Sequence, residues 1–239
     1  MKLTIRKKVL LCSLIPLLLL GGIILLIAST IVKGVIIDQM ENSLKGTAIA
    51  TQAAYDQNAG TYLQAENGDI WKGSYNISKS ESLVDRIKEN TGMDVTFFYG
   101  NKRIMTSALD KKGNRILGSE AGERVVKQVI KGKKPFFSTN VSLDGTRNYG
   151  YFIPVYQNGT TDQVIGMVFV GTNKAQKDAI VNKILGSIMM ALLVVMFLCI
   201  VTAMRMAASI SKNIKNSVAV VGKLADGDLN VWVDEKLLK

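Results

Sequence analysis

The chain of 239 residues contains no histidine and only two cysteines. Without histidine, it lacks the commonest general base near neutral pH, histidine-ligated metal sites and a phospho-accepting histidine. Cys12 and Cys199 each lie inside a long apolar run, so the polar region between the runs, residues 33–183, has no disulfide. That region must therefore be stabilised by burial of apolar surface, and it is long enough for this.

Enzymatic motifs are also missing. The sequence has no phosphate-binding glycine loop, no paired-cysteine motif and no nucleophile elbow, and its Asp and Glu residues are scattered without local pairing. We therefore expect no enzyme, no catalytic residue, no cofactor and no metal site. The net charge of +11 is spread along the chain, which does not predict a nucleic-acid partner.

Charged residues are absent from two long runs, Val9–Val32 and Ile184–Met204. At about 1.5 Å rise per residue, each run can cross a hydrocarbon core of roughly 30 Å as a helix. The first run is longer than the apolar part of a cleaved signal peptide, so we expect it to remain as an anchor. The sequence thus predicts two transmembrane helices and a cell-membrane location.

Lysine and arginine next to the two runs predict the orientation. They lie before the first run and after the second: Lys2, Arg6, Lys7, Lys8, Arg205, Lys212 and Lys215. The excess of positive charge on cytoplasmic loops then puts both termini in the cytoplasm and residues 33–183 outside. Lys174, Lys177 and Lys183 oppose this orientation, but a segment of this length crosses largely regardless of its charge.

Helical periodicity extends both runs away from the membrane. Ile36–Ala54 has apolar or small residues every three or four positions, which predicts a helix that leaves the bilayer. Ile210–Leu224 alternates four- and three-residue steps, the pattern of a parallel coiled coil between two chains. We therefore expect a homodimer. Glycine ends the second pattern within Ala225–Leu229.

The region outside the membrane has the pattern of an α+β domain. Two helices are predicted, Glu81–Asn90 and Glu120–Ile130, the second capped by Ser119, whereas Gly60–Tyr75 has no clear pattern. The predicted strands are Asp94–Tyr99, Lys102–Ser107, Pro135–Thr139, Arg147–Tyr156 and Val164–Gly171, with turns at Gly100-Asn101, Asp144-Gly145 and Asn158-Gly159. This order fits an antiparallel five-stranded sheet with helices on one side.

Two stretches of the sequence resemble known families. Ser209–Ile214 with Lys223–Leu229 resembles the first helix and connector of a HAMP domain. The strand motifs resemble the single-Cache, PAS-like sensor domain of bacterial methyl-accepting chemotaxis receptors; they are Asp94–Gly100, Arg103–Ser107, Tyr149–Val155 and Ile165–Gly171. The second HAMP helix would begin near Asp234, and the chain stops at Lys239, so we expect a partial HAMP domain.

The resemblance implies a complete domain order. Residues 1–8 are a cytoplasmic tail, 9–32 and 184–204 the membrane helices, 33–183 the sensor domain and 205–239 the partial HAMP domain. Such receptors bind a small extracellular molecule and relay the signal through HAMP to a cytoplasmic region, absent here, that contacts the chemotaxis kinase and its coupling protein. The alternatives are the input half of a sensor histidine kinase or cyclic-dinucleotide enzyme, and a membrane-tethered structural or adhesion module.

Ligands of PAS-like domains lie between the sheet and the segments that cover it, which suggests the candidate site. Arg103 is the principal candidate, because its guanidinium can pair bidentately with a carboxylate; a salt bridge to Asp94 or to a covering helix is the alternative. The further candidates are Thr106, Phe97, Tyr99, Tyr149, Tyr151 and Arg147. For these, an ordinary strand or core role, or a solvated hairpin end for Arg147, stays open. A small carboxylate is favoured as ligand, and an amino acid or nucleobase is possible.

Overall fold

The computed structural model describes residues 5–157 and 163–226. The predicted Asn158-Gly159 turn, the connector from Gly227 onward and the second HAMP helix near Asp234 lie outside these ranges. The described chain divides into two compact units. One, Lys33–Asn182, is called the central domain below; the other comprises the described parts of Met1–Val32 and Lys183–Lys239.

Two long helices, each of 52 residues, contain the apolar runs. They are α1 (Ile5–Asp56) and, at the other end of the described chain, the last helix, Lys174–Ala225. Each is long and apolar enough to cross a membrane, by length and composition. The prediction that the first run continues as a helix through Ile36–Ala54 is confirmed, because α1 is unbroken to Asp56. The stretch Ile210–Leu224 is helical throughout.

A small antiparallel sheet follows α1 and was missed by the sequence reasoning. Its strands are β1 (Tyr62–Gln64), β2 (Ile70–Lys72) and β3 (Tyr75–Asn76). Strands of two or three residues are too short to show an alternating pattern of apolar and polar residues. No strand was therefore predicted within Gly60–Tyr75. A short 3₁₀ helix, Ile77–Lys79, and then α2 (Glu81–Thr91) complete this part. Gly92 ends α2 in the left-handed conformation, as expected.

The main sheet has five antiparallel strands, which confirms the predicted α+β class. The strands are β4 (Asp94–Tyr99), β5 (Lys102–Thr106), β6 (Phe136–Leu143), β7 (Thr146–Tyr156) and β8 (Val164–Asn173). Their order across the sheet is β5-β4-β8-β7-β6. The helix Lys174–Ala225, called α4 below, begins at the residue that follows β8.

The helix predicted over Glu120–Ile130 differs in the structure. A single α-helical turn, α3 (Glu123–Val125), follows Gly122 and continues as a π-helical segment, Val126–Lys131. Ser119 is not its cap, because the chain is still extended there: the Ser119 carbonyl accepts a hydrogen bond from the Arg103 backbone N–H at 2.9 Å. Glu120 likewise pairs with Lys102 as an isolated β-bridge.

Both faces of the main sheet are covered, whereas helices on one side only were predicted. One face, called the α1 face, packs on α1, the small sheet and α2; its buried side chains include Leu44, Tyr55, Val84, Val95, Phe97 and Tyr151. The opposite face, called the cavity face, packs on the segment between β5 and β6; its buried side chains include Phe98, Val129, Phe152, Met167 and Phe169. Alternation of side chains along each strand assigns them to the two faces.

Candidate functional site

A cavity of about 360 Å³ lies on the cavity face, between the sheet and the start of α3. Aromatic rings of Phe98, Phe152 and Phe169 line it from the sheet. Polar side chains that also line it come from two segments, Glu120 and Arg124 near α3 and Ser138, Asn140 and Ser142 on β6. An apolar floor with a few polar groups is the usual composition of a small-ligand site.

Two glycines make the floor of this cavity possible. Gly150 on β7 pairs with Gly171 on β8. A Cβ atom at Gly171 would lie 2.4 Å from Cζ of Phe169, and one at Gly150 would lie 2.5 Å from its Cε2. The Phe169 ring therefore lies flat over the glycine pair, with its centroid 4.7 Å from that of Phe152. A side chain at either glycine would push this ring toward the cavity.

Arg103 lines the cavity with a guanidinium that has few partners. The residue is 7% exposed, and Nη1 donates to the Ile116 carbonyl at 3.3 Å. Its Nε is buried without a hydrogen-bond partner, as is the Ser119 hydroxyl, among the described residues. The guanidinium lies 5.3 Å from the centroid of the Phe98 ring. Burial lowers the pKa of Arg103, although guanidinium remains charged at any physiological pH.

No carboxylate among residues 5–157 and 163–226 forms an ion pair with Arg103. The predicted alternative partner, Asp94, binds Lys88 instead, with 2.8 Å between Nζ and Oδ1. A buried cation without a counter-ion is costly, and an anion in the cavity would remove much of that cost.

Strand pairing at the Gly100-Asn101 turn places Arg103 on the cavity face, and a β-bulge follows it. Arg103 lies opposite Phe98, and Met105 lies opposite Phe97, so Ile104 is the extra residue on β5. Residues that face each other across antiparallel strands share a side of the sheet, and Arg103 consequently shares the side of Phe98. This side is opposite to that of Phe97 and Tyr99.

Phe97 and Tyr99 lie on the α1 face, away from this cavity. Phe97 is fully buried, with its ring 5.1 Å from that of Tyr55 and 5.9 Å from that of Tyr62 between centroids. Tyr99 packs at the edge of the same core. Both positions correspond to the core role that the sequence left open.

Tyr149 and Tyr151 also lie on the α1 face. The Tyr149 hydroxyl donates to Oδ1 of Asp178, on α4, at 2.7 Å. Burial and this hydrogen bond raise the pKa of Tyr149 to about 12. Tyr149 lines a second, smaller cavity of about 260 Å³, which is separate from the one at Arg103.

Thr106 and Arg147 do not line the Arg103 cavity. The Thr106 hydroxyl is buried, 2.7 Å from the Thr96 hydroxyl, and it accepts the Ala108 backbone N–H at 3.1 Å. Arg147 is exposed near the end of the β6–β7 hairpin. Of the predicted contacts, the structure therefore brings only Arg103 to this cavity.

The aromatic floor of the cavity and Arg124 were not predicted from the sequence. The floor could have been found from the hairpin at Gly100-Asn101: a two-residue turn pairs Tyr99 with Lys102 and hence Arg103 with Phe98. No sequence pattern indicated that Arg124 lines the cavity, because its helix was predicted to begin earlier and to be regular.

One comparison with known proteins, the match to a family model, agrees with this fold. Residues 75–184 match the family model described as "Single cache domain 3". A solved structure, the "Extracellular ligand binding receptor from Desulfohalobium retbaense DSM5692", aligns with 65% of this chain at 15% identity and a TM-score of 0.42. The alignment covers 25% of that receptor, so the chain spans about a quarter of its length. A search of curated proteins found no match.

The family match covers the last part of the small sheet, α2, the whole main sheet and the start of α4. A long N-terminal helix followed by an antiparallel five-stranded sheet is the arrangement that the sequence motifs predicted. The central domain therefore has a Cache-type, PAS-like fold, and its residues 75–184 are similar to single Cache domains.

Proposed function

We propose that this protein is a membrane receptor whose Cache domain binds a small extracellular ligand in the cavity at Arg103. The observation that carries the proposal is the buried guanidinium of Arg103, which lines a cavity of about 360 Å³ and whose Nε has no hydrogen-bond partner in the described part of the chain. The two helices that are apolar enough to cross a membrane support the receptor assignment. In the proposed orientation, both termini are cytoplasmic and the central domain is outside the cell.

A small carboxylate is the proposed ligand class. The guanidinium of Arg103 can donate two parallel hydrogen bonds to a carboxylate, and the rings of Phe98, Phe152 and Phe169 would contact the carbon skeleton. Glu120 at the same cavity could bind an ammonium group, so an α-amino acid also fits. A nucleobase could stack on the aromatic floor but would leave the charge of Arg103 uncompensated.

The proposed output is chemotaxis signalling by a homodimer. The helix α4 extends without interruption from the end of the sheet to Ala225, so a ligand-induced shift of β8 has a direct covalent path along this helix. A HAMP domain would pass the shift to the chemotaxis kinase and coupling protein. The ligand can supply only its difference in affinity for the two states, typically about 1–3 kcal/mol.

The alternative output is a sensor histidine kinase or a cyclic-dinucleotide enzyme, because the same input parts serve those proteins. If the natural protein continues past Lys239, a long heptad hairpin there would favour the chemoreceptor. A histidine-bearing dimerisation helix would favour the kinase.

A thermal-shift screen of the full chain in lipid nanodiscs tests the ligand assignment. The probes are libraries of small carboxylates, amino acids and nucleobases. A ligand at about a hundred times its Kd adds roughly 2.7 kcal/mol, or about 5 °C for a domain of this size. Arg103→Ala should abolish the shift, and Arg103→Lys should reduce it, because lysine keeps the charge but loses the fork.

Arg86→Ala is the matched control, since Arg86 is exposed on α2 and does not line the cavity. This variant should keep the full shift. Absence of any shift across the three libraries would contradict the receptor proposal. A carboxylate shift that survives Arg103→Ala but disappears with Arg147→Ala would instead move the site to the β6–β7 hairpin.

A further inference from the structure

Four phenylalanine rings form an aromatic row across the cavity face of the main sheet. Phe136, Phe152 and Phe169 lie opposite one another on β6, β7 and β8. The ring centroids are 6.4 Å apart between β6 and β7 and 4.7 Å apart between β7 and β8. Phe98 extends the row onto β4, where it pairs with Met167, two residues before Phe169. All four rings line the cavity of about 360 Å³.

A guanidinium lies at each end of the aromatic row. Arg103 is on the edge strand β5, with its Cζ 5.3 Å from the centroid of the Phe98 ring. Arg124 is on α3, with its Cζ 5.3 Å from the centroid of the Phe136 ring on the other edge strand, β6. Both arginines line the cavity, and neither forms an ion pair with a described residue. Arg124 is exposed, so a ligand can reach it from solvent.

The positive charge on this lining exceeds what a single carboxylate neutralises. Glu120 is the acidic residue of the lining. It lies opposite Lys102 in the isolated β-bridge, so Lys102 offsets its charge. Ser138 lines the cavity two residues beyond Phe136 on β6, and its hydroxyl is a possible donor at that end of the row. Both ends of the aromatic row can therefore bind an anionic group.

The spacing of the strands gives the length of a ligand that would reach both guanidiniums. Phe98 and Phe136 are three strand intervals apart in the order β4-β8-β7-β6. At about 4.8 Å per interval, this is on the order of 14 Å. A guanidinium carbon lies about 4 Å from the carboxyl carbon that it binds. About 6 Å then remain between two carboxyl carbons, which is the span of an extended chain of about six carbons with bonds of about 1.5 Å.

We propose that the cavity selects an elongated dicarboxylate that lies along the aromatic row. Arg103 binds the inner carboxylate and Arg124 the outer one, and the rings between them contact the apolar chain. Arg124 is then a specificity-determining residue, because it distinguishes a second carboxylate from a neutral end. The inference rests on the proposed ligand site at Arg103 and narrows its small carboxylate to a stated length and charge.

Isothermal titration of the full chain in lipid nanodiscs tests the proposal with three probes. Adipate has the proposed length and two carboxylates, monomethyl adipate has nearly the same length with one neutral end, and succinate is too short to reach both guanidiniums. Because an ion pair at an exposed arginine contributes modestly, adipate should bind roughly fivefold more tightly than monomethyl adipate. Adipate should also bind more tightly than succinate.

Variants of Arg124 assign this preference to one side chain. Arg124→Gln should weaken adipate binding roughly fivefold and leave the Kd of monomethyl adipate within about twofold. Arg124→Lys should retain part of the preference, because lysine keeps the charge. Arg86→Gln is the matched control, since it removes the same charge from an exposed position on α2 outside the cavity and should leave both Kd values unchanged.

An equal loss of adipate and monomethyl adipate binding in Arg124→Gln would mean general electrostatic attraction and would overturn the proposal. Tighter binding of succinate than of adipate would overturn it as well. Failure here is distinguishable from failure of the proposed function. If the second carboxylate adds nothing while Arg103→Ala still abolishes binding, only the dicarboxylate assignment is refuted. If Arg103→Ala leaves the binding of all three probes unchanged, the ligand site at Arg103 is itself refuted.

Discussion

The two faces of the main sheet use the same strands for different purposes. On the α1 face, Phe97, Tyr55 and Tyr62 are in ring contact, and the Tyr55 hydroxyl is bonded to Ser80 at 2.9 Å. On the cavity face, Arg103 and Ser119 keep buried polar atoms without partners among the described residues. Strand alternation therefore fixes which residues share a face, whereas the covering segment decides whether that face becomes a filled core or a binding site.

The covering segments differ in regularity. The α1 face is covered by a long helix that presents Met40, Leu44, Ala48 and Tyr55 at spacings of four, four and seven residues, so it packs closely. The cavity face is covered by residues that are extended at Ser119 and helical for one turn from Glu123 before the π-helical segment. Such a cover cannot fill the space over the flat Phe169 ring, and the cavity is the result.

Truncation of one aromatic ring on each face should change the stability of the protein most. Phe97→Ala should lower the free energy of unfolding by about 3–5 kcal/mol, because the ring is fully buried in a filled core. Phe152→Ala should cost less, about 2 kcal/mol, because its ring borders a space that already lacks contacts. Urea unfolding of the full chain in nanodiscs measures both values.

Ligand binding should respond in the opposite order. Phe152→Ala should weaken the binding of a carboxylate at the cavity, whereas Phe97→Ala should leave its Kd unchanged in the folded fraction. Equal stability losses together with equal binding losses would contradict the distinction between the two faces.

The sequence predicted the strands and the end of α2 well, because alternation and Gly92 are local signals. It did not predict which candidates meet. Arg103 was grouped with Tyr99 by distance along the chain, but Tyr99 pairs with Lys102, so Arg103 pairs with Phe98 and lies on the opposite face from Tyr99. The register of a sheet depends on how two strands pair. It therefore cannot be predicted from the aromatic and polar residues of one strand alone.

The π-helical segment after α3 shows a similar limit. Its apolar residues fit an ordinary helix, so the pattern predicted one from Glu120. The tertiary pairing of Lys102 with Glu120 keeps the chain extended there, which delays the helix to Glu123. The irregular cover that creates the cavity therefore depends on a contact that no local pattern reveals.

Gly171→Ala should lower stability less than Phe97→Ala does, and it should weaken ligand binding at the cavity. The new methyl group would lie 2.4 Å from Cζ of Phe169, so the ring must move toward the cavity. Overpacking of this kind costs about 1–3 kcal/mol, and the reduced cavity should weaken ligand binding by roughly tenfold or more. Isothermal titration with the ligand from the screen gives the Kd, and urea unfolding gives the stability.

Gly46→Ala is the matched control, because an added Cβ there meets no heavy atom within 4 Å. Gly46 lies inside α1, and alanine should stabilise it by about 0.5–1 kcal/mol. Adding Phe169→Leu to Gly171→Ala should restore part of the affinity by removing the ring that collides. Undiminished binding in Gly171→Ala alone would show that the floor of the cavity is not the ligand site.

The smallest change in stability is expected from the ion pair between α2, which covers the α1 face, and the segment between β5 and β6, which covers the cavity face. The Asp85 carboxylate on α2 accepts hydrogen bonds from Nη1 and Nη2 of Arg115 at 2.9 and 2.5 Å, and Nη1 also donates to the Thr106 carbonyl at 2.7 Å. Arg115 lowers the pKa of Asp85 in the folded protein. The pair therefore stabilises the fold above the unfolded pKa of about 3.9, and this contribution disappears as the pH falls through the lower folded value.

Because the Asp85 side chain is 41% exposed, solvent screening limits the effect to less than about 1 kcal/mol. Urea unfolding of wild type and Asp85→Asn from pH 7 down to pH 3 should give a stability difference that is largest at pH 7 and shrinks in acid. Asp38→Asn, at an exposed carboxylate of α1 that forms no ion pair with a described residue, is the control for the loss of one negative charge. If the stability difference between wild type and Asp85→Asn stays constant with pH, the contact stabilises the fold by hydrogen bonding rather than by charge. The contact between α2 and the segment that contains Arg115 would then not weaken in acid.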